Sequence, residues 1–177
     1  LLQEACRQQD VPLVGAIFPA LVTAQGFVTD GVWLLRFDRM PPTALIAALD
    51  DDTADSVRKI STTIRKLLSE NPLQENELAL YMLFDGMVPN IASILDGIYL
   101  ELADRVSYAG ANAGSESFQA MPCLFDQSQC VGNGLLCLLL PGESTTVLEH
   151  GFSHPEKTIC ATSTDGNRIT LIDWRPA

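Results

Sequence analysis

The closeness of the β-prone runs constrains this chain more than any other feature. Pro12–Phe18, Leu21–Phe27 and Val32–Phe37 are apolar and rich in strand formers, and only a few residues separate them. The second and third are divided by the turn residues Thr29-Asp30-Gly31. Near the end, Thr158–Ser163 and Arg168–Trp174 flank Asp165-Gly166-Asn167, the composition of a hairpin turn. Two parallel strands need a crossover of about a dozen residues or more. Neighbours this close therefore pair antiparallel or not at all.

Helices belong to the middle of the chain. Val57, Ile60, Ile64, Leu67 and Leu68 recur at the helical period. Asp50, Asp51 and Asp52 precede them, where carboxylates cap free amides and suit the positive end of the helix dipole. Arg58, Lys59, Arg65 and Lys66 fall on the opposite, solvated face, and Asn71-Pro72 closes the helix. Ile91, Ile94, Leu95, Ile98 and Leu102 mark a second helix starting near Asn90. Between the two, Glu77–Phe84 reads as a strand ending at Asp85-Gly86, and Val106–Ala109 as a short strand after them. Residues 43–49 suit either helix or strand. Further strands are expected at Pro122–Asp126, Gly132–Leu140 and Thr145–His150. These elements predict an α+β fold, a layered sandwich of largely antiparallel sheets with flanking helices.

Composition bounds the function. Of 177 residues 47% are hydrophobic and 19% charged, which provides a core and excludes a disordered chain. The net charge of −11 comes from 22 acidic against 11 basic residues. Such a field does not steer a protein to nucleic acid or to an anionic membrane. The opening Leu1–Cys6 lacks the basic, apolar pattern of a signal peptide, and the apolar run Leu135–Leu140 is too short to span a bilayer. The five cysteines include no C-x-x-C pair, so reduced thiols and a cytoplasmic location are expected, with no structural zinc.

Two places could carry chemistry. Gly110–Ser117 reads GANAGSES. Its small residues suit either a tight turn between strands or a loop whose amides hold an anionic ligand, with Gly110 and Gly114 giving close approach and Asn112, Ser115 and Ser117 giving polar contacts. It is neither a Walker loop nor a dinucleotide fingerprint. His150-Gly151-Phe152 stands at an expected strand end. Its imidazole suits a pocket wall, a haem iron or a turn, whereas the chain's two histidines, His150 and His154, are too few for most zinc sites. A hydrolase would use Ser115 or Cys123 as nucleophile, but G-x-S-x-G is absent.

Four stretches in order resemble the FIST domain, a sensory module of bacterial signalling proteins. They are Pro12–Pro19 (PLVGAIFP), Val106–Phe118 (VSYAGANAGSESF), His150-Gly151-Phe152, and Thr162–Ala177 (TSTDGNRITLIDWRPA). The resemblance extends to the branch of haem-binding nitric oxide sensors that regulate histidine kinases or cyclic-di-GMP enzymes, diguanylate cyclases and phosphodiesterases. It implies a non-enzymatic ligand sensor with His150 as haem ligand. Small amino-acid-like ligands are the alternative it allows. Phe152 stands where the family usually has Trp, and Ser115 where an acidic residue is common. The resemblance also implies that residues 1–177 are the first part of a two-part FIST protein, with the start of that part and the C-terminal half lying outside them.

Overall fold

The structure, a computed structural model, describes residues 2–49, 52–71, 78–142, 144–146, 153, 156–165 and 168–177. It divides into two compact units, Leu1–Thr145 and Thr146–Ala177.

The first unit is built on two strands that bury both faces. β5 (Leu78–Asp85) and β9 (Leu135–Pro141) pair antiparallel, with Leu80 opposite Leu139, Met82 opposite Cys137 and Phe84 opposite Leu135. Alternation sends these six side chains, with Leu78, to one face. Leu83, Leu136, Leu138 and Leu140 point to the other. β4 (Thr43–Ile46) adds antiparallel to β9, and β6 (Ser107–Ala113) adds parallel to β5, so the sheet order is β4-β9-β5-β6.

Two helices cover the first face. α2 (Thr53–Glu70) contributes Ile60, Ile64 and Leu68, and α3 (Ile91–Leu102) contributes Ile94, Ile98 and Leu102. Asp52 caps α2 as its carboxylate composition predicts, accepting the Ala54 N–H at 2.8 Å. Asp50 and Asp51 lie outside the described residues. The basic face of α2 is exposed, yet it is not only solvated. Lys59 Nζ donates to the carbonyls of Ala47 and Ala48 at 2.6 and 3.0 Å, and Arg65 pairs with Glu101 of α3. The second face is covered by a small sheet of β1 (Val14–Ala16), β7 (Leu124–Asp126) and β8 (Cys130–Val131), in the order β1-β7-β8. Helices, central sheet and small sheet form the layers, and the fold is α+β as predicted. α1 (Leu2–Gln8) precedes β1.

Several local expectations change. Leu21–Phe27 is not one strand but a hairpin, β2 (Leu21–Thr23) and β3 (Gly26–Val28), turning at Ala24-Gln25. Val32–Phe37 forms no strand, because no described strand lies beside it to complete its hydrogen bonds. Residues 43–46 resolve as strand. The expected Gly110–Ser117 turn begins only after Ala113, since parallel pairing with β5 carries the strand to the Asp85–Ala113 register. That pair is joined through α3 as a βαβ crossover, and β4 and β5, parallel on either side of β9, are joined through α2 as a second, split one. Residues 147–150 of the expected Thr145–His150 strand lie outside the described residues, and 144–146 have no regular structure.

The second unit is a three-stranded antiparallel sheet, β10 (Ala161–Asp165), β11 (Arg168–Ile172) and β12 (Arg175–Pro176). Asp165 opposes Arg168, the register of a two-residue hairpin loop. The next turn sets Asp173 and Trp174 at φ 49° and 64°, the left-handed pair of a type I′ turn. Asp173 offsets that strain by bridging to Cys160 through both its backbone N–H and its carboxylate. No helix among the described residues is long and apolar enough to cross a membrane.

Two substitutions test this architecture by urea denaturation. Leu80→Ala, at the centre of the helix-covered face, should lower the unfolding free energy by about 3 kcal/mol. Gly110→Ala should lower it by at least about 2 kcal/mol, because a Cβ there collides with the Met82 carbonyl of the paired strand, which cannot move aside.

Candidate functional site

The site lies where β5 and β6 end side by side. In open sheets with parallel strands, the carboxyl ends of those strands are where ligands bind. Here the Gly86 N–H donates to the Ala113 carbonyl at 2.8 Å, and the Gly114 N–H donates to the Ile17 carbonyl at 2.9 Å. The Ile17 N–H in turn donates to the Cys123 carbonyl at 2.8 Å. The central and small sheets are thereby tied together at this end.

Asp85 closes β5 and is 2% exposed. Its Oδ1 accepts the Met87 N–H at 2.9 Å, and its Oδ2 accepts the Asn133 N–H at 2.6 Å. One carboxylate thus holds the β5–α3 loop and the β8–β9 loop. Asn133, at φ 45°, extends the connection: its Nδ2 donates to the Leu49 carbonyl at 2.9 Å, and its own carbonyl accepts the Leu49 N–H at 3.0 Å. Gly132 is required beside it, because a Cβ there would sit 2.9 Å from the Met121 carbonyl and 3.3 Å from Asp85 Oδ2. No lysine or arginine among the described residues pairs with Asp85. A carboxylate offers about four acceptor sites, so the two amide bonds and the Cys123 thiol still leave capacity.

Asp85 forms part of the wall of an open cleft of about 470 Å³, with Met87, Pro89, Met121, Pro122 and Asn133. That is within the usual range for small-molecule sites. The mixture of apolar walls and one buried carboxylate suits a compact ligand carrying a cationic or hydrogen-bond-donating group. Cys123 lies fully buried beside it. Burial, then the Asp85 charge and a hydrogen bond to Asp85, push its thiol up to about 11. At neutral pH it is a thiol, unlike the thiolate a nucleophile requires.

The described residues nominated from sequence do not line this wall. Gly110 and Asn112 line a smaller cleft of about 180 Å³ on the helix side of β6, with Phe84, Ile91, Leu95 and Tyr108. Gly110 is small to fit against the β5 backbone. Gly114 has φ 138°, a conformation that favours glycine, and leads into the turn where the Ser115 and Ser117 hydroxyls hydrogen-bond each other at 2.7 Å. His150, with Gly151 and Phe152, lies outside the described residues. Sequence reading missed Asp85, Met87, Met121 and Asn133. The available signals were Asp-Gly at the end of an apolar strand and the Gly-Asn-Gly run at 132–134.

A family model described as the FIST N domain matches residues 1–175. The chain belongs to the FIST N domain family. FIST domains are sensory domains of signal transduction proteins. No curated protein and no solved structure matches this FIST N domain. Within it, the matched span includes Asp85, Asn133 and the strand ends that flank the cleft.

The buried thiols of this FIST N domain give it a pH dependence. Burial alone pushes Cys137 up to about 12, and Cys123 reaches about 11, both from an ordinary value of 9.0. A raised folded pKa means the native state holds its proton longer than the unfolded chain. The resulting stability is complete below pH 9 and is lost as pH rises through 11 to 12. The urea midpoint should therefore fall over that window, and Cys123→Ala should flatten the fall's lower part.

Proposed function

We propose that this FIST N domain is a non-enzymatic cytoplasmic sensor that binds a small amino-bearing metabolite, amino-acid-like in size, in the Asp85 cleft. The observation that carries the reading is a buried carboxylate without a cationic partner among the described residues, in the wall of a cleft of about 470 Å³. A ligand ammonium would supply the missing charge, and a charge-assisted hydrogen bond is stronger than a neutral one. The apolar parts of Met87, Pro89, Met121 and Pro122 would cover the rest of the ligand.

Signalling requires different affinities for two conformations. Asp85 connects the two loops at the cleft and, through Asn133, the backbone just ahead of α2. A ligand that draws on the same carboxylate competes for or reinforces those bonds, and so biases the loops that a partner would read. The proposed partner is a histidine kinase, or a diguanylate cyclase or phosphodiesterase, as the family resemblance suggests.

Haem on His150, with nitric oxide as signal, is the second reading. It is supported by the resemblance and by no geometry among the described residues. Neither described cleft fits haem: the smaller is only about 180 Å³, and the larger sets a buried carboxylate where an apolar macrocycle with anionic propionates would lie.

Thermal unfolding of the chain against the twenty standard amino acids, each paired with its deaminated acid, tests the first reading. An amino compound should raise the midpoint while its deaminated partner does not. Asp85→Asn should weaken that binding at least about tenfold, the loss of roughly 1.5–3 kcal/mol expected of a hydrogen bond to a charged group. Absence of any shift at millimolar ligand, or an unchanged affinity in Asp85→Asn, overturns it. A hemin titration separates the second reading: a Soret band that His150→Ala removes would favour haem.

A further inference from the structure

The least satisfied backbone among the described residues is the stretch after the β2–β3 hairpin. Val32–Phe37 has the composition of a strand, yet residues 31–41 make no backbone hydrogen bond to any described residue. The side chains of residues 31–39 are exposed as well. Val32 is 72% exposed, Trp33 61%, Leu34 74% and Leu35 78%. The hairpin adds Phe27, also largely exposed, and its Leu21 lies next to Gly31, so both exposed groups belong to one region. Apolar side chains of this number and size make a patch of several hundred square ångströms, at or beyond what isolated monomers normally show.

We propose that residues 30–36 are a strand whose partner is the same segment of a second copy, paired antiparallel about a two-fold axis at Trp33. The distribution of charge singles out this occupant. Asp30 stands three residues before Trp33, and Arg36 three after it. Neither has an ion pair among the described residues. Antiparallel pairing centred on Trp33 sets Asp30 of each copy opposite Arg36 of the other, Val32 opposite Leu34, and the two Trp33 rings opposite each other. The charges meet opposite charges and the apolar side chains of Val32, Trp33 and Leu34 meet apolar ones, with Gly31 opposite Leu35, which suits the self-complementarity of an isologous interface. The alternation of a strand also puts Asp30, Val32, Leu34 and Arg36 on one face, so the charges that must meet share a side.

Charge matters for a second reason. Two chains of −11 repel, and a self-contact is favoured only where that charge is cancelled locally. Residues 30–39 hold Asp30 and Asp38 against Arg36 and Arg39, a balanced segment in an acidic protein. A lipid surface fits less well. It would cover the side chains but leave the N–H and C=O groups of 31–37 unsatisfied, whereas a paired strand satisfies both.

Sedimentation equilibrium of the 177-residue chain over the micromolar range reads the proposal. A monomer–dimer equilibrium is expected. Trp33→Lys puts two like charges on the axis and should weaken it at least tenfold, with an unchanged circular dichroism spectrum because the position is exposed. Asp30→Arg and Arg36→Asp should each weaken it at least tenfold, and the double swap should restore it. A monomer throughout the range, a dimer that tolerates Trp33→Lys, or a double swap that stays monomeric overturns the proposal. So does co-sedimentation of the chain with phosphatidylcholine–phosphatidylserine vesicles that Trp33→Lys abolishes, which would assign the segment to lipid.

Discussion

The antiparallel contact between β5 and β9 is the constraint on which the first unit rests. Both strands are apolar on both faces, so neither can lie at a surface. Each residue step alternates between the helix side and the small-sheet side, and the register Leu80–Leu139 determines both at once. A slip of one residue would exchange the two faces and present the wrong side chains to Ile60, Ile64 and Ile98. Helices and small sheet are therefore not independent modules. They are the two covers that one pair of strands demands.

That demand also positions the site. Because β5 is held from both sides, its last residue is held too, and that residue is a carboxylate. Asp85 is buried for the reason Leu83 and Phe84 are buried: the strand continues to it. What differs is how its polar atoms are served. Backbone amides from two loops reach it, and one loop is admitted only because position 132 has no side chain. The packing of the core thus delivers a polar group to a cleft that the core itself does not need. The binding role proposed for the cleft would use the same atoms as the structural role in tying the loops, and this shared use would link ligand occupancy to loop position.

The layers were legible from the sequence because alternation and helical period are local signals. Ile60 and Ile64 predict their buried face without knowledge of the partner, and Leu135–Leu140 reads as a buried strand from its composition. The site was not legible, because its residues come together through pairing. Nothing near Asp85 in the chain announces that Asn133, 48 residues on, donates to it. Val32–Phe37 shows the same limit from the other direction. Its strand propensity was readable, but a strand is a relation between two segments, and the described residues provide no second one.

The Gly/Ser stretch shows why small residues mislead when read alone. A glycine permits close approach, but the sequence does not say what approaches. At Gly110 it is the β5 backbone: the Met82 carbonyl occupies the space a side chain would fill. At Gly132 it is the Met121 carbonyl, with the Asp85 carboxylate just beyond, and there the close approach builds the cleft wall. Where backbone meets backbone the glycine belongs to the sheet. Where backbone meets a buried charge beside open space it belongs to the cleft wall, and only the second kind bears on the binding proposed for this domain.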